Sequence, residues 1–302
     1  MSTSATSSPS QSYPLSRSTI AATRLDLQHF LWTSSTESHL HPSIPVPDDA
    51  FIADIGCGTG IWSLTYPRPK NSAIRFEAMD ISLSQVPPTE WLPDHVTART
   101  LDIFAPIPED LRAKFDVVHV RLFLLVVRDN DPVPILSNLL KLLKPGGYLH
   151  WQEYDTSKTS VVVAAAAAPG SDAETAAPAM TALHRLTTGG GRNASADQVF
   201  ENLSWVSTFA RLFERGSGKD LGAELVSQNV TTPPSHLLPL AQEIGFLGAR
   251  EYATGLRSSQ PELAARLDGA TDAAETECWD GLKRGSAIGM DMMTWVVRKS
   301  EK

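Results

Sequence analysis

The sequence predicts an α/β fold, a parallel sheet covered by helices on both faces. Three observations predict it. From Phe51 onward, short apolar segments alternate with segments of helical spacing, the pattern of strand–helix–strand units. A glycine-rich loop, Gly56-Cys57-Gly58-Thr59-Gly60, follows the first strand directly. A carboxylate stands at the end of each of the first three strands, Asp54, Asp80 and Asp102.

The elements follow in order. Residues 1–18 form a Ser-rich tail, and the first carboxylate is Asp26. Such a tail is read as disordered rather than as an organellar signal, which is usually richer in arginine. Residues 19–32 carry Ile20, Leu27, Phe30 and Leu31 at helical spacing. A proline-punctuated loop leads to strands at 51–55, 75–80, 96–101 and 115–120. A helix at 134–143 stops at Lys144-Pro145-Gly146-Gly147, and a fifth strand covers 148–153. Residues 156–196 are rich in Ala, Gly, Ser and Thr and read as a flexible insertion. As part of a surface insertion, residues 159–188 are expected to be removable with the fold left largely intact. Beyond it come a helix at 199–213, a short helix at 237–244 with a possible kink at Pro239, and a strand at 246–253. A helix at 262–282 and a strand at 290–298 end the chain. Residues 19–302 are read as a single domain.

Composition narrows the function. The 302 residues carry 26 Lys and Arg against 34 Asp and Glu, a net charge of −8. A phosphate-gripping surface normally carries a basic excess, so nucleic acid is not an expected partner. The longest apolar runs fall far short of the ~20 residues of a membrane span. Two cysteines, Cys57 and Cys278, make no disulfide framework. His39 and His41 have no accompanying ligand cluster, so no metal is expected. A cytoplasmic enzyme or binding domain remains.

The glycine loop carries the chemistry. Glycines let the backbone turn at positive φ and approach a ligand closely. Gly56, Gly58 and Gly60 give G-x-G-x-G, whereas a dinucleotide loop needs G-x-G-x-x-G. Ile61 occupies that last position and would obstruct a pyrophosphate. Asp80 can accept both ribose hydroxyls of a nucleoside. Asp102 can accept from an adenine amino group while Ile103 packs on the ring. Three acids around one loop, at the carboxyl ends of neighbouring strands, outweigh the alternative of solvated strand ends.

These segments, with Phe115-Asp116-Val117-Val118-His119 and Leu142 to Tyr148, resemble the motifs of class I S-adenosylmethionine-dependent methyltransferases. The resemblance implies a Rossmann-like, doubly wound seven-stranded sheet of order 3-2-1-4-5-7-6 with strand 7 antiparallel, and S-adenosyl-L-methionine as cofactor. Leu31-Trp32, the segment Leu40 to Pro45, Gly60-Ile61-Trp62 and His119-Val120-Arg121 are similar to fungal methyltransferases of secondary metabolism. That group methylates oxygen or nitrogen of small metabolites, and a related branch regulates such pathways through protein partners. The cofactor-binding residues so implied are Asp54, Gly56, Gly58, Gly60, Asp80, Asp102, Ile103 and Arg121. Arg121 would hold the cofactor carboxylate or an acidic substrate group, or simply a salt bridge.

A hydroxyl acceptor can require a general base. His119, near the end of the fourth strand, is one candidate; its other reading is a hydrogen-bonded strand histidine. Glu153, after the fifth strand, is the second candidate, with a solvated strand-end carboxylate as the alternative. Tyr66-Pro67-Arg68-Pro69 should cut the first crossover helix to barely two turns, because a residue before proline avoids the helical region.

Overall fold

In strand Phe51–Ile55 (β1), Ile52 faces one side of the sheet and Ala53 and Ile55 the other, and all are buried. Near-continuous apolar character is what a strand buried on both faces requires. The computed structural model describes residues 15–70, 72–164, 169–188, 204–214 and 221–301. Expected features at 1–14, at Ala165 to Ala168, at Gly189 to Gly191 and at 199–203 lie outside the described residues.

The chain opens with helix α1 (Thr19–Thr36), capped by Ser18, whose side chain accepts from the Ala21 amide. β1 follows, then the short helix α2 (Ile61–Thr65), β2 (Arg75–Asp80), β3 (Val96–Thr100) and β4 (Phe115–Arg121). Helix α3 (Val133–Leu142) leads into β5 (Leu143–Val163). The short α4 (Ala173–Ala176), α5 (Pro178–Thr188) and α6 (Trp205–Thr208) precede β6 (Ala223–Thr231). Helices α7 (Leu238–Leu256) and α8 (Pro261–Thr276) precede β7 (Ser286–Lys299). The seven strands lie in the order β3-β2-β1-β4-β5-β7-β6. β1 to β5 pair in parallel and β7 runs antiparallel to both its neighbours. The strand order and the antiparallel seventh strand are those expected. So is the stub of α2, a five-residue helix that ends at Tyr66, before Pro67.

Both faces of the sheet are covered. On one, α3 buries Ile135, Leu136 and Leu139 against Val118, Val120 and Trp151. On the other, Trp62 of α2 packs with Ile52, Phe76 and Val117. A third cluster joins α5, α7 and α8 through Met180, Leu183, Phe246 and Leu267, and the partly buried Val161, Val163 and Ile288 pack against it.

Four expectations are corrected. The stretch 156–196 is not a flexible insertion where it is described. β5 runs on past a bulge between Asp155 and Thr159, and Thr159 to Val163 pair with Met290 to Ser286 of β7. α5 then buries Met180 and Leu183, next to the buried Ala177 that precedes it. The β-branched run Val161-Val162-Val163 suits a strand, although the surrounding small residues disguise it. Second, 246–253 is not a strand but the middle of α7. Its buried Gln242, Phe246, Ala253 and Leu256 follow helical spacing. Gly248 sits where α1 approaches, since a Cβ there would lie 3.8 Å from Arg24 Cδ. Third, Pro239 kinks nothing, because it lies in the first turn of α7, where its missing N–H has no helical partner to lose. Fourth, the described part of 199–213 is one turn of α6 followed by a 3-10 segment, Phe209–Phe213. The edge strand β6 lies at 223–231, where no strand was expected; more than half of its residues are polar or charged, and among the described residues it pairs on one side only, with β7.

Candidate active site

The glycine loop is fixed to the carboxyl end of β2. The amides of Gly56 and Cys57 both donate to the Met79 carbonyl, at 2.7 and 3.1 Å. Gly56, Gly58 and Gly60 have φ of 68°, 56° and 77°, the left-handed region that side chains disfavour. Asp80 stands beside the loop. Its Oδ2 accepts from the Gly58 amide and its Oδ1 from the Ser82 amide, each at 3.1 Å. Asp102, exposed at the end of β3, accepts from the Phe104 amide at 2.9 Å. Ile103 is buried in the main core beside it. Asp54 is buried and accepts from Ser63 Oγ at 3.0 Å. Burial pushes its carboxyl up to about 7, helped by Asp80 and opposed by Ser63 and Arg121.

Two apolar side chains border the loop. A Cβ added to Gly56 would meet the Phe123 ring at 2.2 Å, and one on Gly58 would meet Leu25 Cδ1 at 3.0 Å. Leu25 belongs to α1, which Thr59 ties down by donating to Asp26 Oδ1 at 2.7 Å. Gly56→Ala therefore has both a strained φ and a blocked Cβ. Its expected cost is on the order of 2–4 kcal/mol, read as a lower midpoint in urea at unchanged slope. An unchanged midpoint would show that Phe123 swings away freely.

Arg121, at the end of β4, donates from Nη2 to His29 Nδ1 at 3.1 Å. A guanidinium only donates, so His29 keeps its proton on Nε2 and gives it to Thr65 Oγ1 at 2.8 Å. Thr65 in turn donates to the Ile61 carbonyl at 2.6 Å, and His39 Nε2 contacts the same hydroxyl at 3.3 Å. Burial, and then the Arg121 charge, hold His29 down to about 3. Burial lowers Arg121 itself to about 10, with Asp54 and Tyr154 supporting its charge.

The sign of the resulting pH effect follows. Between about 6.5 and about 3, unfolded His29 binds a proton that folded His29 refuses, so stability is lost as pH falls through that window. His150, held down to about 3 mainly by burial, acts in the same direction. The melting temperature should therefore fall from pH 6.5 towards pH 4, and fall less steeply in His29→Gln. Parallel acid limbs in the two proteins would remove His29 from this role.

His119 does not stand open to an acceptor. Its ring stacks on Trp62, with centroids 4.0 Å apart and planes 10° apart. Its Nδ1 lies 3.0 Å from His150 Nδ1. It is buried, its pKa is driven down chiefly by burial, and it is not part of the chamber wall described next. The alternation of β4 explains this. His119 shares a face with Val117 and Arg121, against α2, whereas Val118 and Val120 face the opposite core. This arrangement matches the strand-histidine reading rather than the base.

A cavity of about 220 Å³ opens beyond α1, walled by α1, α5, α7, the loop after β4 and the middle of β5 and β7. Its lining is mainly aliphatic, with Leu31, Leu124, Leu183, Leu238 and Ile244 prominent. Leu25 belongs to both places: it lines the chamber and touches the glycine loop. Glu153 also lines the chamber and is fully buried rather than solvated. Burial pushes its carboxyl up to about 8, against the pull of nearby N–H groups of Tyr154, Phe123, Leu124 and Trp151. The ion pair of Arg24 with Glu251, missed in the sequence, clamps α1 to α7 at the chamber wall, at 2.9 Å. Its partners lie 227 residues apart, so no local pattern could reveal it.

The donor set at the loop fits S-adenosylmethionine. Each Asp80 oxygen takes one backbone N–H and keeps lone-pair capacity for a hydroxyl. Gly56, Gly58 and Gly60 carry no side chains of their own, and the apolar Phe123 and Leu25 lie against the loop. Among the described residues, no group of three or more His, Cys, Asp or Glu could hold a metal ion, and no helix is long and apolar enough to cross a membrane.

Residues 47–214, more than half of the chain, match the family described as a methyltransferase domain. The chain is 34% identical over 140 residues to Methyltransferase grgD of a Penicillium species, covering 44% of this chain and 48% of that protein. It is 30% identical over 134 residues to Secondary metabolism regulator LAE1 of Hypocrea atroviridis, covering 44% and 37%. The match thus spans about half or less of the length of these curated relatives. Among solved structures, phosphoethanolamine N-methyltransferase 2 of Haemonchus contortus superimposes with a TM-score of 0.44 at 14% identity, covering 94% of this chain and 58% of that one.

Proposed function

The chain belongs to the methyltransferase-domain family, and from that premise we propose that it moves a methyl group from S-adenosylmethionine to an oxygen or nitrogen of a small metabolite. The single observation that supports this best is the adjacency of the glycine loop and the apolar chamber through Leu25.

Asp80 would hold the ribose hydroxyls, and Asp102 the adenine edge beside Ile103. The loop Gly56 to Gly60, with Asp54 and Arg121, would receive the amino-acid end. When bound, the cofactor supplies an electrophilic methyl group, and most of the remaining catalysis is positioning. The chamber wall excludes water and orients the acceptor, and Glu153 is the ionisable group of that wall closest in role to a base. Burial of Glu153 means that it receives a proton readily but is ionised only in a minority of molecules at pH 7. The protein would work in the cytoplasm, on a metabolite and not on nucleic acid.

Similarity to a regulator raises a second reading, a cofactor-binding protein that acts through protein partners. One experiment separates them. Titration calorimetry should show binding of S-adenosylmethionine and of its demethylated product, and no binding of NAD. Incubation with fungal metabolite extracts and isotopically labelled cofactor should then yield a product bearing the labelled methyl group. Cofactor binding without any labelled product in the extracts supports the regulator; NAD binding in place of S-adenosylmethionine ends both readings.

A further inference from the structure

Two ionisable side chains line the chamber, and only one of them, Arg24, has an ion-pair partner among the described residues. Arg24 gives Nε to Glu251 Oε2 at 2.9 Å and Nη1 to Gln28 Oε1 at 2.7 Å. Glu153 receives the Tyr154 amide at 3.1 Å on Oε1, while its Oε2 has no hydrogen-bond partner among the described residues. No Lys, Arg or His forms an ion pair with it among those residues. A buried acid in such a setting is normally paired or neutralised.

We propose that the acceptor is an apolar amine, whose hydrocarbon body fills the chamber and whose nitrogen pairs with the Glu153 carboxyl. The proposal rests on the methyltransferase reading only in calling the ligand an acceptor; the recognition itself is a property of the chamber. The lining around Glu153 is aliphatic, so the ligand body must be apolar. The wall carries one acid without an ion-pair partner among the described residues, and an ammonium is the ligand group that pairs with its ionised form. A carboxylate ligand would repel the ionised acid and could meet only its protonated form. An alcohol would offer a hydrogen bond but no charge to favour ionisation of the acid. An amine supplies both charge and hydrogen bonds.

Proton bookkeeping closes within the pair. The empty chamber favours the protonated acid, since burial pushes Glu153 up to about 8. As an ammonium enters, that proton leaves to water, and a carboxylate–ammonium pair forms. Breaking one N–H bond then leaves its electron pair on nitrogen and forms an O–H bond on Glu153. The products are a neutral amine with a free lone pair and a neutral carboxylic acid, and no other reactant is consumed.

The test uses the full chain and three matched probes, n-octylamine, 1-octanol and octanoate, in titration calorimetry. Wild type should bind the amine at least tenfold more tightly than the alcohol, and octanoate weakest. Glu153→Gln should bring amine and alcohol within about threefold of each other, and Glu153→Asp, which keeps the charge, should retain the preference. Leu183→Trp, which fills the chamber, should weaken amine and alcohol alike. Equal binding of amine and alcohol by wild type overturns the proposal even if no variant folds. So does an amine preference that survives Glu153→Gln, or amine binding untouched by Leu183→Trp. A parallel titration with S-adenosylmethionine separates the two readings: cofactor binding with no amine preference sinks this proposal alone. Amine preference without cofactor binding sinks the methyltransferase reading and leaves the amine site.

Discussion

Removing residues 159–188 and joining the ends with a short Gly-Ser linker should abolish cooperative folding. The segment contributes the outer half of a β5–β7 ladder, in which Thr159 to Val163 pair with Met290 to Ser286. It also contributes α5, with Met180 and Leu183 almost fully buried. The first amides of that helix are caught by Glu277, which accepts from Ala179 at 2.9 Å and from Met180 at 3.0 Å. Burying one such side chain is worth roughly 1.5–3 kcal/mol. Deleting both, and stripping Phe246, Leu267 and Ile288 of their cover, reaches the whole stability of a typical domain, about 5–15 kcal/mol. Circular dichroism during a urea titration reads the outcome. A sigmoidal transition at the wild-type midpoint would return the segment to the status of a dispensable insertion.

The misreading of that segment has a physical cause. Ala and Thr populate helices, strands and loops alike, and the single periodic signal, Val161-Val162-Val163, is short enough to belong to any of them. What fixes it as a strand is β7, more than 120 residues later in the chain, and no local pattern reports such a partner. The sheet upstream was legible because β1 is largely apolar and buried, and β2 and β4 bury most of their residues, with turn chemistry between them; β3, with exposed Thr97 and Thr100, was legible only by its place in the alternation. The first part of α7 was read as helix and 246–253 as strand for a related reason: Gly245 and Gly248 look like breakers, but the buried face of the helix runs through them from Gln242 to Leu256.

The site divides in the same way. The placement of the glycine loop after β1, and of Asp54, Asp80 and Asp102 at successive strand ends, was legible because each depends on one strand end at a time. The environments of His119 and Glu153 were not. The order of residues on β4 cannot say that Trp62 will stack on His119, nor can β5 say that Glu153 will line a chamber. Strand parity assigns a face, but only the packed elements determine whether that face is core, cofactor site or chamber.

Asp80→Ala should lose S-adenosylmethionine affinity by far more than Glu153→Ala does, on the proposed assignment. The Asp80 carboxylate already accepts the Gly58 and Ser82 amides, so it is held in place before any ligand arrives. Two ribose hydroxyls would then meet a charged and preorganised acceptor. Hydrogen bonds to a charged group are worth on the order of 1.5–3 kcal/mol each. Losing two implies a loss of roughly two to four orders of magnitude in affinity. Removal of the carboxylate also frees the Gly58 amide, which loosens the loop and adds to the effect. Asp80→Asn keeps one acceptor oxygen on a side chain of the same shape and should fall between the two. Glu153 shares no hydrogen bond with Asp80 or the glycine loop among the described residues, and its alanine variant should bind the cofactor within about threefold of wild type. Titration calorimetry on proteins shown by melting to be folded decides the matter. Equal dissociation constants for wild type and Asp80→Ala would mean that the carboxylate serves only to tie Gly58 and Ser82 together, and the ribose would have to be held elsewhere.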